Sequence, residues 1–151
     1  MDIERCLNEI LNKEVYSRLN SYVAIGDLEN EKIQYIKRCE KIKYIDFEDT
    51  AMDFFEETKM TLKIFDTGKF FKYIKQLSNK SDKILIVNNL QIIQNILYNL
   101  DSESKYTKQF FVSMINQSFK QQVIFVFQNI KLMKIEKWLK EACFPEKNII
   151  K

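Results

Sequence analysis

Apolar residues along the chain change period several times, and each change marks an element. Ile3, Leu7, Ile10 and Leu11 recur at helical spacing after Asp2, a good N-cap, which predicts an amphipathic helix running to about Arg18. Ser21–Ile25 is then a short β-rich run ending at Gly26-Asp27. Between Glu29 and Cys39 the positions of Ile33 and Ile36 among charged neighbours return to the helical period. Residues 43–47 read as a second short strand, followed by a helical segment from Thr50 to Thr58 that carries Met52, Phe54 and Phe55. Residues 60–66 fit a strand or a helix equally. Thr67 is placed to cap a helix bearing Phe70, Phe71, Ile74 and Leu77, and residues 78–82 form a polar connection.

The strongest strand signals come later. Ile84, Leu85, Ile86 and Val87 form a continuous apolar run closed by Asn88 and Asn89, the pattern of a strand buried on both faces of a parallel sheet. Ile93, Ile96, Leu97 and Leu100 then share one helical face, and a second helix over residues 106–119 turns Phe110, Phe111, Met114, Ile115 and Phe119 inward. Residues 122–129 are another buried strand ending in the amides Gln128 and Asn129. Leu132, Ile135, Leu139 and Ala142 make the stripe of a last helix that Pro145 ends. Strands alternating with helices predict an α/β three-layer sandwich with a mainly parallel central sheet. A single domain over residues 1–151 is expected, with its core at 20–130, an N-terminal helix at 1–18 and a C-terminal helix at 131–144.

Composition narrows the chemistry. The 151 residues hold 46% hydrophobic positions with 12 Phe and 7 Tyr, a globular mixture, yet only 2 Gly and 1 Pro, so few glycine-built loops are available. The chain has no histidine, and Cys6, Cys39 and Cys143 are far apart. Zinc sites and histidine triads are therefore excluded on inventory, and reduced thiols in a cytoplasmic setting are expected. The net charge of +3 is too even to name a partner by itself. No stretch of about 18 apolar residues and no secretion leader is present, so no membrane association is expected.

In open α/β sheets ligands bind beyond the carboxyl ends of the strands, so the residues after Ile25, Val87 and Phe127 carry the functional question. Gly26-Asp27-Leu28-Glu29-Asn30-Glu31-Lys32-Ile33 has the spacing of the phosphate loop G-x-x-x-x-G-K-[ST], with Gly26 and Lys32 in register. Glu31 replaces the second glycine, and Ile33 replaces the hydroxyl that would hold magnesium. Asn88 and Asn89 stand where acidic residues would hold the metal and polarise water, and Asn129 stands where a polar sensor would sit.

In these motifs and in the order of its elements the chain resembles P-loop NTPases of AAA+ type. In length and layout it is similar to the small P-loop proteins of BREX-type phage-defence operons. The resemblance implies a nucleotide-binding ancestry, and the departures fall on the positions that hold phosphate and metal. A Glu31 carboxylate about 4 Å from a phosphate would repel it by roughly 4 kcal/mol at an effective dielectric of about 20, close to a thousandfold in affinity. No catalytic residue, no metal site, no hydrolysis and weak or no binding of ATP or ADP are therefore expected. The expected role is an accessory protein that docks onto a larger nucleic-acid-handling complex, in phage defence or replication control.

Two other roles compete with it. One is a regulator that binds nucleotide without hydrolysing it, through Lys32 with Asn88 or Asn89. The other is a nucleic-acid module using Lys134, Lys137 and Lys140 on the last helix beside Trp138. A solvated helix face, interrupted by Glu136 and Glu141, accounts for the same lysines. The acids Asp46, Glu48, Asp49, Asp53, Glu56 and Glu57 read the same way. Oligomeric state has no signal in the sequence.

Overall fold

The computed structural model describes residues 1–12, 18–59, 66–100, 105–128 and 135–151, with the backbone alone for 98–100 and 105. The elements in chain order are α1 (Ile3–Leu11), β1 (Ser21–Ile25), α2 (Asn30–Arg38), β2 (Ile42–Asp46), α3 (Phe47–Thr58), α4 (Thr67–Asn79), β3 (Ile84–Asn88), α5 (Gln91–Leu100), α6 (Lys105–Ile115), β4 (Val123–Phe127), α7 (Ile135–Glu141) and β5 (Ile149–Ile150). The five strands form one sheet in the order β2-β3-β4-β1-β5, and every pair is parallel. This is the expected α/β sandwich, of a kind consistent with P-loop NTPases.

Period-2 alternation divides each central strand between two cores. Val23, Leu85, Val87, Val123, Phe125 and Phe127 face one layer, built by α3, α4, α5, α6 and α7. Tyr22, Ala24, Ile84, Ile86, Ile124 and Val126 face the other, covered by Ile3, Leu7 and Ile10 of α1 and Ile36 of α2. Buried on both sides, β3 and β4 have no polar residue before their last positions. The first layer is aromatic. Phe70 is fully buried and lies 5.2 Å from Phe71, 5.6 Å from Phe110 and 5.8 Å from both Phe47 and Phe54, mostly edge to face. Edge-to-face geometry suits the ring quadrupoles.

The connections account for the layering. β2→β3, β3→β4 and β4→β5 all advance in one direction across the sheet, and their helices lie on the aromatic face. β1→β2 runs the other way, and α2 lies on the opposite face, as a common handedness of crossovers requires.

Several local boundaries differ from the sequence reading. β2 is shifted by one residue, and α3 begins at Phe47 because the Asp46 carboxylate caps it, accepting from the Glu48 N–H at 3.0 Å. α4 is capped by Asp66, not Thr67, which is its first residue. α6 ends at Ile115, although Phe119 beyond it is still buried. α1 is helical through Leu11, and residues 13–17 lie outside the described residues. The reading of 60–65 also lies outside them. β5 was not foreseen: after Pro145 a 3₁₀ turn leads into two residues that pair with Val23 and Ala24. Asn148, wholly buried, secures this return by donating to the carbonyls of Leu19 and Ser21, each at 2.9 Å.

Candidate functional site at the carboxyl ends of the strands

The chain leaves β1 toward one face of the sheet and the neighbouring β4 toward the other, so the crevice between their carboxyl ends is where an open α/β sheet would receive a ligand. Gly26 stands at its floor. The Gly26 N–H donates to the Phe127 carbonyl at 2.9 Å, extending the β1–β4 pairing by one step. Its φ of 141° is a conformation that side chains rarely permit, which explains a glycine here in a chain that has two. Above it packs Met1: a Cβ at position 26 would lie 3.6 Å from the Met1 Cβ.

Lys32 and Glu31 lie in the first turn of α2, which begins at Asn30. The Lys32 ammonium is 3.0 Å from Oε1 of Glu4 on α1, and this hydrogen bond holds its pKa above the ordinary lysine value. The group in register with a phosphate-binding lysine is thus paired with a carboxylate of the same chain, both side chains being 40% exposed. Glu31 is exposed, and Glu29, which precedes the helix, makes no side-chain cap. The start of α2, N-cap and first turn together, therefore carries two acidic side chains where a phosphate would seek positive charge.

Asn88 and Asn89 are turned sideways. β4 separates β3 from β1, which places the end of β3 two strand spacings, or about 10 Å, from the end of β1. Asn88 is buried and donates from Nδ2 to the Tyr44 hydroxyl on β2 at 3.0 Å. Burial raises the Tyr44 pKa, the bond from Asn88 opposing it in part. Asn89 adopts a left-handed φ of 58°, tolerated by asparagine, and donates from Nδ2 to Oδ2 of Asp46 at 2.8 Å. Both amides thus bind the adjacent edge strand.

The end of β4 is closed by a residue the sequence reading passed over. Gln94 of α5 is fully buried; its Oε1 accepts from the Gln128 N–H and its Nε2 donates to the Gln128 carbonyl, both at 3.1 Å. This side-chain amide completes the strand end as another strand would. Its signal was available as a glutamine between Ile93 and Ile96 on an apolar helix. Asn129 lies outside the described residues.

Of the lysines proposed for nucleic acid, Lys134 also lies outside the described residues. Lys137 and Lys140 are exposed on α7, Lys137 resting 5.1 Å from the Trp138 ring centroid, with Glu136 and Glu141 exposed on the same helix. Among the described residues no group of three or more His, Cys, Asp or Glu side chains could hold a metal, and no helix is long and apolar enough to cross a membrane. No protein-family model matches the chain, and no match is found among curated proteins or solved structures.

Proposed function

We propose that this chain is a catalytically inactive P-loop-like protein that works as an accessory subunit, by protein contacts, within a nucleic-acid-handling complex such as one of phage defence or replication control. One observation carries the reading: polar groups at the carboxyl ends of β1, β3 and β4 are spent on the protein itself. Lys32 is paired with Glu4, Asn88 with Tyr44, Asn89 with Asp46 and Gln128 with Gln94. A catalytic phosphate site needs the reverse, donors and metal ligands aimed at an open crevice and held there before the substrate arrives.

The all-parallel sheet and the direction reversal at β1 supply the architecture for such an ancestry. What remains for function is surface. Two assays test the reading together. Incubation with magnesium and ATP should release no phosphate above the protein-free rate. Co-expression with the products of flanking genes should bring the chain into a larger complex on size-exclusion chromatography. A chain that elutes alone and hydrolyses ATP, with turnover lost in Lys32→Ala, would overturn it.

A further inference from the structure

We infer that the outward side of α4 and α6 binds single-stranded nucleic acid. The two helices lie side by side on the aromatic face of the sheet, joined through Phe70 and Phe71 against Phe110 at 5.6 and 5.0 Å. Their apolar sides therefore face the sheet together, and their polar sides face solvent together. Neither helix contains an Asp or Glu. Lys69, Lys72 and Lys108 are exposed and Lys75 is half-buried; none of the four makes an ion pair among the described residues. Here the sequence has kept acids off two neighbouring helices.

The surface has relief and an aromatic group. Lys69 and Lys72, with Lys59 from the end of α3, line a concavity of about 420 Å³ between α3 and α4, where Glu57 is the one acidic wall residue. Lys108 lines a shallower depression on α6 with Gln109, Ser113 and Asn116, which add uncharged hydrogen-bonding groups. Tyr106, in the first turn of α6, is 51% exposed. Ammonium groups track a phosphate backbone, and an exposed ring stacks on a base only where the base is unpaired, so Tyr106 favours a single strand over a duplex. The acidic outer positions of α3, Glu48, Asp49, Asp53 and Glu56, bound the surface on one side. α7 is less suited, because its lysines alternate with Glu136 and Glu141. The inference rests on the charge of this face and not on the strand ends, so it can fail while the proposed function stands, and the converse.

The test is fluorescence anisotropy with a labelled oligothymidylate of about 20 nucleotides and a duplex of equal length, across a salt series. The single strand should bind at low salt, with a log–log salt slope of about −2 for three phosphate contacts. Lys69→Glu with Lys72→Glu should weaken binding at least tenfold and flatten the slope, and Lys108→Glu should act in the same direction from the other helix. Tyr106→Ala should cost about fivefold or more on the single strand and nothing on the duplex. Lys137→Glu with Lys140→Glu should change neither. All these side chains are exposed, and circular dichroism verifies that each variant is folded. Absent binding at low salt, loss confined to the α7 variant, or duplex binding as tight as single-strand binding and indifferent to Tyr106→Ala would each overturn the inference.

Discussion

Asn89 donates to Asp46 across the ends of β3 and β2 at 2.8 Å, and the other oxygen of the same carboxylate caps α3 through the Glu48 N–H. Both Asp46 oxygens are thereby used, and the amide at position 89 is the donor that the geometry calls for. Asn89→Asp, which places an acid at this position, would set two carboxylates against each other. Two unit charges about 4 Å apart repel by about 1 kcal/mol in bulk water and about 4 kcal/mol near a protein surface. A loss of stability within that range is expected by urea denaturation, relieved by adding Asp46→Asn. An Asn89→Asp variant that keeps full stability and gains magnesium affinity would mean that the amide is not held as described.

Gln94→Leu should be costly although it puts an apolar side chain at a fully buried position. It leaves the Gln128 N–H and carbonyl without the partners they have at 3.1 Å. Each orphaned buried group costs about 1–3 kcal/mol, and because Gln128 is only half-buried, water can replace part of the loss. A total of about 2 kcal/mol is expected in the denaturation midpoint. A neutral Gln94→Leu would show that the strand end is satisfied by solvent.

The strands of the central sheet were legible because burial on both faces writes itself as an unbroken apolar run, as in residues 84–87 of β3 and in Val123–Phe127. β1 was found at its observed bounds. β5 was invisible: two residues cannot display a period, and their pairing with Val23 and Ala24 is set by a turn from Pro145 and by Asn148 reaching back to the start of β1. At the site, the sequence located the strand ends but not the partners of their side chains. Tyr44, Asp46 and Glu4 are 44, 43 and 28 residues from the groups they bind, and nothing local in the chain announces such a pairing. The lysines of α4 and α6 were overlooked for a related reason, since two helices without Asp or Glu form one face only when they are laid side by side.

Gly26→Ala tests the backbone at the floor of the crevice. Space is not the obstacle, for the nearest atoms to an added Cβ, both of Met1, lie at 3.6 and 3.8 Å. The φ of 141° is the obstacle, and holding a side chain in such a region costs about 1–3 kcal/mol. Thermal unfolding of the variant should reveal a loss of that size; an unchanged midpoint would mean that the turn relaxes freely.

The cysteines should differ in reactivity. Burial, with Glu9 adding to it, pushes the Cys6 thiol up from 9.0 to about 11, whereas Cys143 is exposed. A disulfide reagent near pH 8 should modify Cys143 first, because it is exposed, and Cys6 slowly, because burial disfavours its thiolate. The raised value also fixes a sign. The stability it contributes is fully present below pH 9.0 and is lost as pH rises through about 11. Raised values for Tyr22, Tyr44 and Tyr73 act in the same direction above pH 10.0. The alkaline loss should be shallower in Cys6→Ala, and an equal loss in both proteins would remove Cys6 as a contributor.

The most direct measurement is calorimetric titration of ATP and ADP, with and without magnesium, into the purified protein and its Lys32→Ala variant. With Lys32 held by Glu4 at 3.0 Å and the amides after β3 bound to β2, no saturable heat at millimolar nucleotide is expected from either protein. Saturable, magnesium-dependent binding by the native chain that disappears in Lys32→Ala would contradict the account, because it would show the strand ends releasing their internal partners to hold a nucleotide.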